Sequence, residues 1–185
     1  MNIQHTKNSQ GEDIGGKIFL VGFMGSGKSH WAKQWAGMSG MDFYDLDAMI
    51  EKAEGRQVIK IFEESGEDYF RQRESEMLKD FARMNNFILA CGGGTPFINE
   101  QMAWMNKEGI TIYLAASPAY LLKNLMEEKQ KRPLLKDMDD NALLSFIAQK
   151  LSERESVYRQ ARIILQAAEL NDYSIADLHI TPVKH

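Results

Sequence analysis

The segment from Lys17 to about Met38 admits few folds. An aliphatic run, Ile18 to Phe23, enters Gly22-Phe23-Met24-Gly25-Ser26-Gly27-Lys28-Ser29, and a helical pattern follows from about Lys28 to Met38. Every fixed position of the phosphate-binding pattern G-x-x-x-x-G-K-[ST] is filled, in the strand–loop–helix context that the pattern requires. The bland alternative is a glycine-rich turn that happens to precede Lys-Ser, and the flanking strand and helix argue against it. The glycines let backbone N–H groups converge on phosphate oxygens, and the helix N-terminus faces the same charge. Gly25, Ser26 and Gly27 are therefore expected to hold the nucleotide, with Lys28 reaching the β- and γ-phosphates and the Ser29 hydroxyl ligating Mg²⁺.

The rest of the chain alternates short apolar runs with longer helical patterns. Strands are expected at Lys17–Val21, Met41–Tyr44, Phe87–Ala90, Ile110–Leu114 and Arg162–Leu165. Helices are expected at Asn99–Asn106, Pro118–Glu128 and Asn141–Tyr158, from Asp47 onward, and over Gln57–Ser65 and Glu67–Met84 with Gly66 between them. That order predicts an α/β fold, a five-stranded parallel sheet covered on both faces, with ligands bound beyond the carboxyl ends of the strands. With 185 residues and 44% hydrophobic composition, one domain over residues 17–185 is expected, preceded by a polar tail at residues 1–16. A net charge of −4 gives no basic face for nucleic acid or an anionic membrane. The longest aliphatic run falls far short of the about 20 residues that a membrane span needs. The polar N-terminus lacks an apolar signal-peptide core, and a single cysteine, Cys91, excludes an internal disulfide. A cytoplasmic location is the expectation.

The remaining motifs lie where such sheets place chemistry. The second strand ends in Asp45-Leu46-Asp47. Read as an extended strand tail, it aims both carboxylates at one site, one for a metal's water shell and one for an attacking hydroxyl. The competing reading is a helix N-cap with a second acid favouring the helix dipole. The third strand runs into Cys91-Gly92-Gly93-Gly94-Thr95-Pro96. Three successive glycines permit unusual dihedrals and a close approach of ligand to backbone, or else form a hinge. Cys91 reads as a small buried residue.

Three arginines stand out. Phe70, Met77, Leu78 and Phe81 form an apolar stripe that includes Glu74, with Arg71 on its flank. An inward Glu next to an Arg braces a guanidinium for an anion, or is simply an intrahelical ion pair. Arg154 interrupts a second stripe, Leu143, Ile147, Leu151 and Tyr158, and should meet a carboxylate of the protein or of a ligand. Arg132 lies in the charged stretch Glu127–Leu135, which reads either as solvated surface or as a mobile segment that brings an Arg to the transferring phosphoryl group. Asn106-Lys107-Glu108-Gly109 lacks the Asp of a guanine-reading motif, so ATP is expected rather than GTP. The four histidines show no metal-ligand spacing.

Taken together, Gly22–Ser29, Tyr44-Asp45-Leu46-Asp47, Phe70-Arg71 with Glu74, Gly92-Gly93-Gly94, Arg132-Pro133-Leu134-Leu135, and Glu153-Arg154 with Tyr158 and Ala161 resemble shikimate kinase. The landmarks run in the family's order from Lys17 to about Leu165. The phosphate loop is shared with many enzymes; the combination of the others is far more specific. The resemblance implies a P-loop three-layer sandwich of the nucleoside-monophosphate-kinase type with a lid at about residues 128–140. It implies transfer of the ATP γ-phosphoryl group to the 3-hydroxyl of shikimate, giving shikimate 3-phosphate and ADP, by a monomer. By position, Asp47 would bind the substrate hydroxyls and orient or deprotonate the nucleophile. Arg71 and Arg154 would clamp the shikimate carboxylate, with Gly92, Gly93 and Gly94 beside it. Arg132 would close over the phosphates, and Asp45 would support Ser29 at Mg²⁺. The chain departs from the family at three points. His30 stands where Thr is usual beside the nucleotide, Cys91 replaces Thr or Ser before the glycines, and Leu125 occupies the place of an Arg that packs on adenine. The rivals are another small-molecule kinase on this fold, such as a gluconate kinase, and a catalytically silent sensor of shikimate. Intact Lys28, Ser29, Asp47 and Arg132 argue against the sensor.

Overall fold

The computed structural model describes residues 16–128 and 139–170. Five strands, β1 (Lys17–Val21), β2 (Asp42–Asp45), β3 (Phe87–Ala90), β4 (Ile110–Ala115) and β5 (Ile163–Gln166), form one sheet in the order β2-β3-β1-β4-β5. Every pairing is parallel, Leu20 lying opposite Ala90 on one side and Ile112 on the other. The crossovers are helices: α1 (Lys28–Ser39), α2 (Leu46–Glu54), α3 (Val58–Asp80), α4 (Gln101–Glu108), α5 (Pro118–Glu128) and α6 (Asp140–Tyr158). The expected α/β class, strand number and parallel arrangement are all present.

The near-continuous apolar strands follow from burial on both faces. Successive side chains of β1, β3 and β4 alternate between two cores. Phe19, Val21, Phe87, Leu89 and Tyr113 join one core with Leu46, Ile50, Phe70, Leu143, Ile147 and Tyr158 from α2, α3 and α6. Ile18, Leu20, Ile88, Ala90, Ile112 and Leu114 join the other with Ala32, Trp35 and Ala36 of α1. The sheet is thus the middle of three layers, and its carboxyl edge is left open for ligands.

Two local details differ from the expected elements. Asp45 ends β2 and is the N-cap of α2, accepting a hydrogen bond from the Ala48 N–H (3.2 Å). Asp47 therefore sits in the first helical turn rather than on an extended strand tail, and the N-cap reading holds for the backbone. Gly66 adopts φ 83°, a break inside α3 that matches the expected punctuation between two helical stretches. The expected tail and lid, and Arg132 with them, fall largely or wholly outside the described residues. Among the described residues no helix is long and apolar enough to cross a membrane.

Candidate active site

The loop after β1 is built on left-handed glycines. Gly25 has φ 80° and Gly27, the N-cap of α1, has φ 89°, a conformation in which a side chain would be strained. Space forbids one as well: a Cβ on Gly25 would lie 2.9 Å from Leu125 Cγ. Lys28 Nζ folds back over the loop and donates to the carbonyl oxygens of Gly22 and Phe23, both at 2.9 Å. The Ser29 hydroxyl donates to Asp45 Oδ2 at 2.5 Å. A cavity of about 500 Å³ opens above, lined by Gly25, Gly27, Lys28, Ser29, His30, Asp45, Asp47, Gly92 and Gly93 among others. Residues expected at the nucleotide, metal and acceptor positions thus share one space, within the range of small-ligand sites. Ser26, within the loop, is wholly buried, its Oγ without a hydrogen-bond partner among the described residues.

Asp47 is the most perturbed acid bordering that space. Its Oδ1 is buried with no hydrogen-bond partner among the described residues. Burial first, then the nearby Glu74 and Asp45 carboxylates, push its pKa up to about 6, against the opposing pull of Lys28 and Arg71. Glu74 is fully buried and satisfied from two sides. It accepts from Arg71 Nη1 at 2.8 Å and from the Thr95 hydroxyl. Arg71 also pairs with Glu67 at 3.0 Å. Burial opposes the guanidinium's charge, but the two glutamates outweigh it and hold its pKa above the ordinary value. The structure shows the intrahelical ion pair of the sequence reading, with Arg71 held by both Glu67 and Glu74.

The glycine run acts differently from the expectation. None of Gly92, Gly93 and Gly94 has positive φ, so unusual dihedrals are not the reason for them. The reason is steric. A Cβ on Gly92 would lie 2.7 Å from Glu74 Oε1 and 2.9 Å from Asp47 Oδ1, and one on Gly94 would lie 2.6 Å from the Arg71 guanidinium nitrogens. The site's own charged side chains lean against the bare backbone at both ends of the run. A hinge is not supported either. Thr95 N–H donates to Gly92 O at 3.1 Å, and the Tyr158 hydroxyl donates to Gly93 O at 2.6 Å.

Arg154 meets no carboxylate among the described residues. Its guanidinium lies over two rings, Phe23 at 5.7 Å and Phe97 at 5.6 Å. With Arg71, Glu67, Asp68, Gly94, Ile98 and Glu153 it lines a second cavity of about 390 Å³. The two arginines read separately from the sequence therefore face one space, flanked by an aromatic wall.

Sequence reasoning missed several parts of this site. Thr95 follows the glycines directly, but nothing in the sequence signals its bond to Glu74. Phe23 sits inside the phosphate loop at a variable position and gives no signal there. Phe97 is recognisable only as an exposed aromatic close after Pro96. Trp31, Tyr120 and Asn124 line the first cavity from α1 and α5, at positions that no motif marks. Cys91 is buried, with its Sγ 3.7 Å from Met105 Sδ, and burial pushes its thiol pKa well up, in keeping with a small apolar role.

Known proteins align with this arrangement. The family model for shikimate kinase matches residues 24–182. The shikimate kinase of Phocaeicola vulgatus is 39% identical over 156 residues, covering 84% of this chain and 89% of its own. A crystal structure of a shikimate kinase from Bacteroides thetaiotaomicron superposes with a TM-score of 0.81 at 37% identity, covering 89% of this chain and 93% of that one. A shikimate kinase from Acinetobacter baumannii, solved in complex with shikimate, gives a TM-score of 0.76 at 29% identity over 88% of this chain and 89% of that one. The five-stranded parallel fold, the phosphate loop and the matched length agree: the chain belongs to the shikimate kinase family.

Proposed function

We propose that the two cavities are the two halves of one phosphoryl-transfer site, in which the γ-phosphoryl group of ATP passes to the 3-hydroxyl of shikimate. The observation that carries the reading is Asp47 Oδ1 beside the phosphate loop, buried and without a hydrogen-bond partner among the described residues. A buried acceptor without a donor is costly, and a substrate hydroxyl is the donor that relieves it. With a pKa of about 6, Asp47 is ionised at neutral pH yet basic enough to take the hydroxyl proton as the new P–O bond forms. Arg71, braced by Glu74, and Arg154, held between Phe23 and Phe97, supply two guanidiniums for the acceptor's carboxylate. Lys28 moves from loop carbonyls to the transferring phosphate, and Arg132 closes from the lid over about residues 128–140. Catalysis then comes from positioning and charge stabilisation rather than from a covalent intermediate.

The donor set fits Mg²⁺. Among the described residues no cluster of three or more His, Cys, Asp or Glu forms a cage, which suits a cation that keeps its waters and binds through phosphate and one or two protein oxygens. Ser29 Oγ and Asp45, already in contact, would hold it. When bound, Mg²⁺ neutralises charge on the phosphate oxygens. The protein acts as a monomer in the cytoplasm on this reading.

The test is ADP release with ATP and Mg²⁺ in the presence of shikimate, of gluconate, or of no acceptor. Release stimulated by shikimate alone is expected. Stimulation by gluconate instead would support a kinase of another sugar acid, and folded protein that binds ATP without stimulation by either would support a sensor.

A further inference from the structure

The order of strands along the carboxyl edge assigns a direction to the nucleotide. Asp45 and Asp47 follow β2, and Gly92 follows β3, so the acceptor side lies at that end of the sheet. The phosphate loop follows the central β1, and α5 follows β4 on the opposite side. A nucleoside triphosphate on the loop, with its terminal phosphate toward Asp47, must leave its nucleoside toward β4 and β5. This argument rests on the proposed phosphoryl transfer.

The wall at that end is aromatic. Trp31 and Tyr120 line the first cavity together with His30 and Asn124. Trp31 lies one turn beyond Gly27 on α1, and its Cδ1 would be 3.2 Å from a Cβ on that glycine. The half-buried indole therefore lies against the last turn of the phosphate loop. Trp35 packs behind it with centroids 5.7 Å apart, and His30 meets it edge-on at 5.2 Å. From α5, the Tyr120 hydroxyl donates to Ala167 O at 3.4 Å, and Asn124 Nδ2 donates to Gly25 O at 2.8 Å. Both bonds fix α5, one against the loop and one against the turn that follows β5. Leu125, by contrast, is fully buried under Gly25 and does not reach the cavity.

We propose that the purine base of the nucleotide is held by stacking on Trp31, with Tyr120 closing the opposite side, so that these two aromatic residues set affinity for the nucleoside while the loop sets affinity for the phosphates. A rigid, backed indole loses little freedom on binding, and a purine presents a π-face to it.

The experiment compares ADP with inorganic tripolyphosphate, which has the charge but no base, by calorimetry on wild type, Trp31→Phe and Trp31→Leu. Loss of stacking should weaken ADP about tenfold or more in Trp31→Leu and less in Trp31→Phe, with tripolyphosphate unchanged. In the wild type, ADP should quench indole fluorescence and tripolyphosphate should not, a readout that needs no variant to fold. Equal loss for both ligands, or unchanged ADP affinity with no quenching, overturns the stacking role and leaves the phosphate-loop reading intact. A wild type that binds neither ligand overturns the phosphate-transfer reading itself.

Discussion

At the scale of single residues, Asp47 and Arg154 show how the fold separates chemistry from stability. Asp47 Oδ1 is buried without a hydrogen-bond partner among the described residues, and its pKa is raised to about 6, chiefly by burial. As a general base it must be ionised, so kcat/KM should fall as pH drops through about 6, losing about tenfold per unit below it. Asp47→Asn should reduce kcat by about 10²–10⁴-fold while ADP binding, measured by calorimetry, stays unchanged. Retained turnover in that variant removes Asp47 from the mechanism. Among the described residues Arg154 is held by Phe23 and Phe97 rather than by an acid, which leaves its charge available to a ligand. Arg154→Ala should raise the KM for shikimate about 10–100-fold in steady-state assays, the range for losing a charge-assisted hydrogen bond. An unaffected KM means that its stacking between the rings is purely structural. Both residues were legible in the sequence as polar groups in telling positions. The aromatic clamp was not, because Phe23 and Phe97 are distant from Arg154 along the chain and each alone reads as packing.

At the scale of elements, the strand–loop–helix units were readable because their periodicities are strong and their ends carry distinct residues. The β2–α2 junction was less so. Asp45 serves both as a helix cap and as a partner of Ser29, and no spacing rule separates those duties when one carboxylate has two oxygens. The glycine run makes the sharper case. Its three members look equivalent in sequence, yet the structure distinguishes them by what a Cβ would meet. At Gly92 and Gly94 it would strike the Asp47, Glu74 and Arg71 side chains within 3 Å, whereas at Gly93 its nearest neighbours stand at 3.6 Å or beyond. Gly93→Ala should therefore leave the protein's own side chains in place, so any loss it shows reports crowding of a ligand in the cavity that Gly93 lines. Gly94→Ala should displace the Arg71 guanidinium and raise the KM for shikimate, and Gly92→Ala should lower kcat by disturbing Asp47, each by about 10–100-fold for a displacement near 1 Å. Three equal losses in the steady-state constants would mean that backbone freedom, not side-chain clearance, is what the run provides.

For the whole molecule, the sheet's two buried faces made the architecture legible, since apolar runs bounded by glycine turns can hardly be placed otherwise. What stayed hidden were the long-range electrostatics: Asp45, Asp47 and Glu74 come from two helices and a strand end, and only folding crowds them. That crowding has a consequence for stability. Asp47 ionises near 3.8 when unperturbed and near 6 in the folded protein, so the folded state binds its proton more tightly. Folding stability must then fall as pH rises from about 4 through 6, and the full penalty remains at neutral pH. Each pKa unit corresponds to about 1.4 kcal/mol, which bounds the penalty at about 3 kcal/mol, less whatever solvent reaching the open cavity screens. Asp47→Asn removes the ionisation but keeps the size, so the variant that abolishes turnover should be the more stable protein above pH 6. Thermal unfolding of both proteins at pH 4.5 and at pH 8 tests this: the variant's advantage should be small at the lower pH, where wild-type Asp47 is itself protonated, and full at the higher. A difference independent of pH would show that Asp47 is not charged at the folded protein's expense, and that its orphaned oxygen is tolerated for another reason.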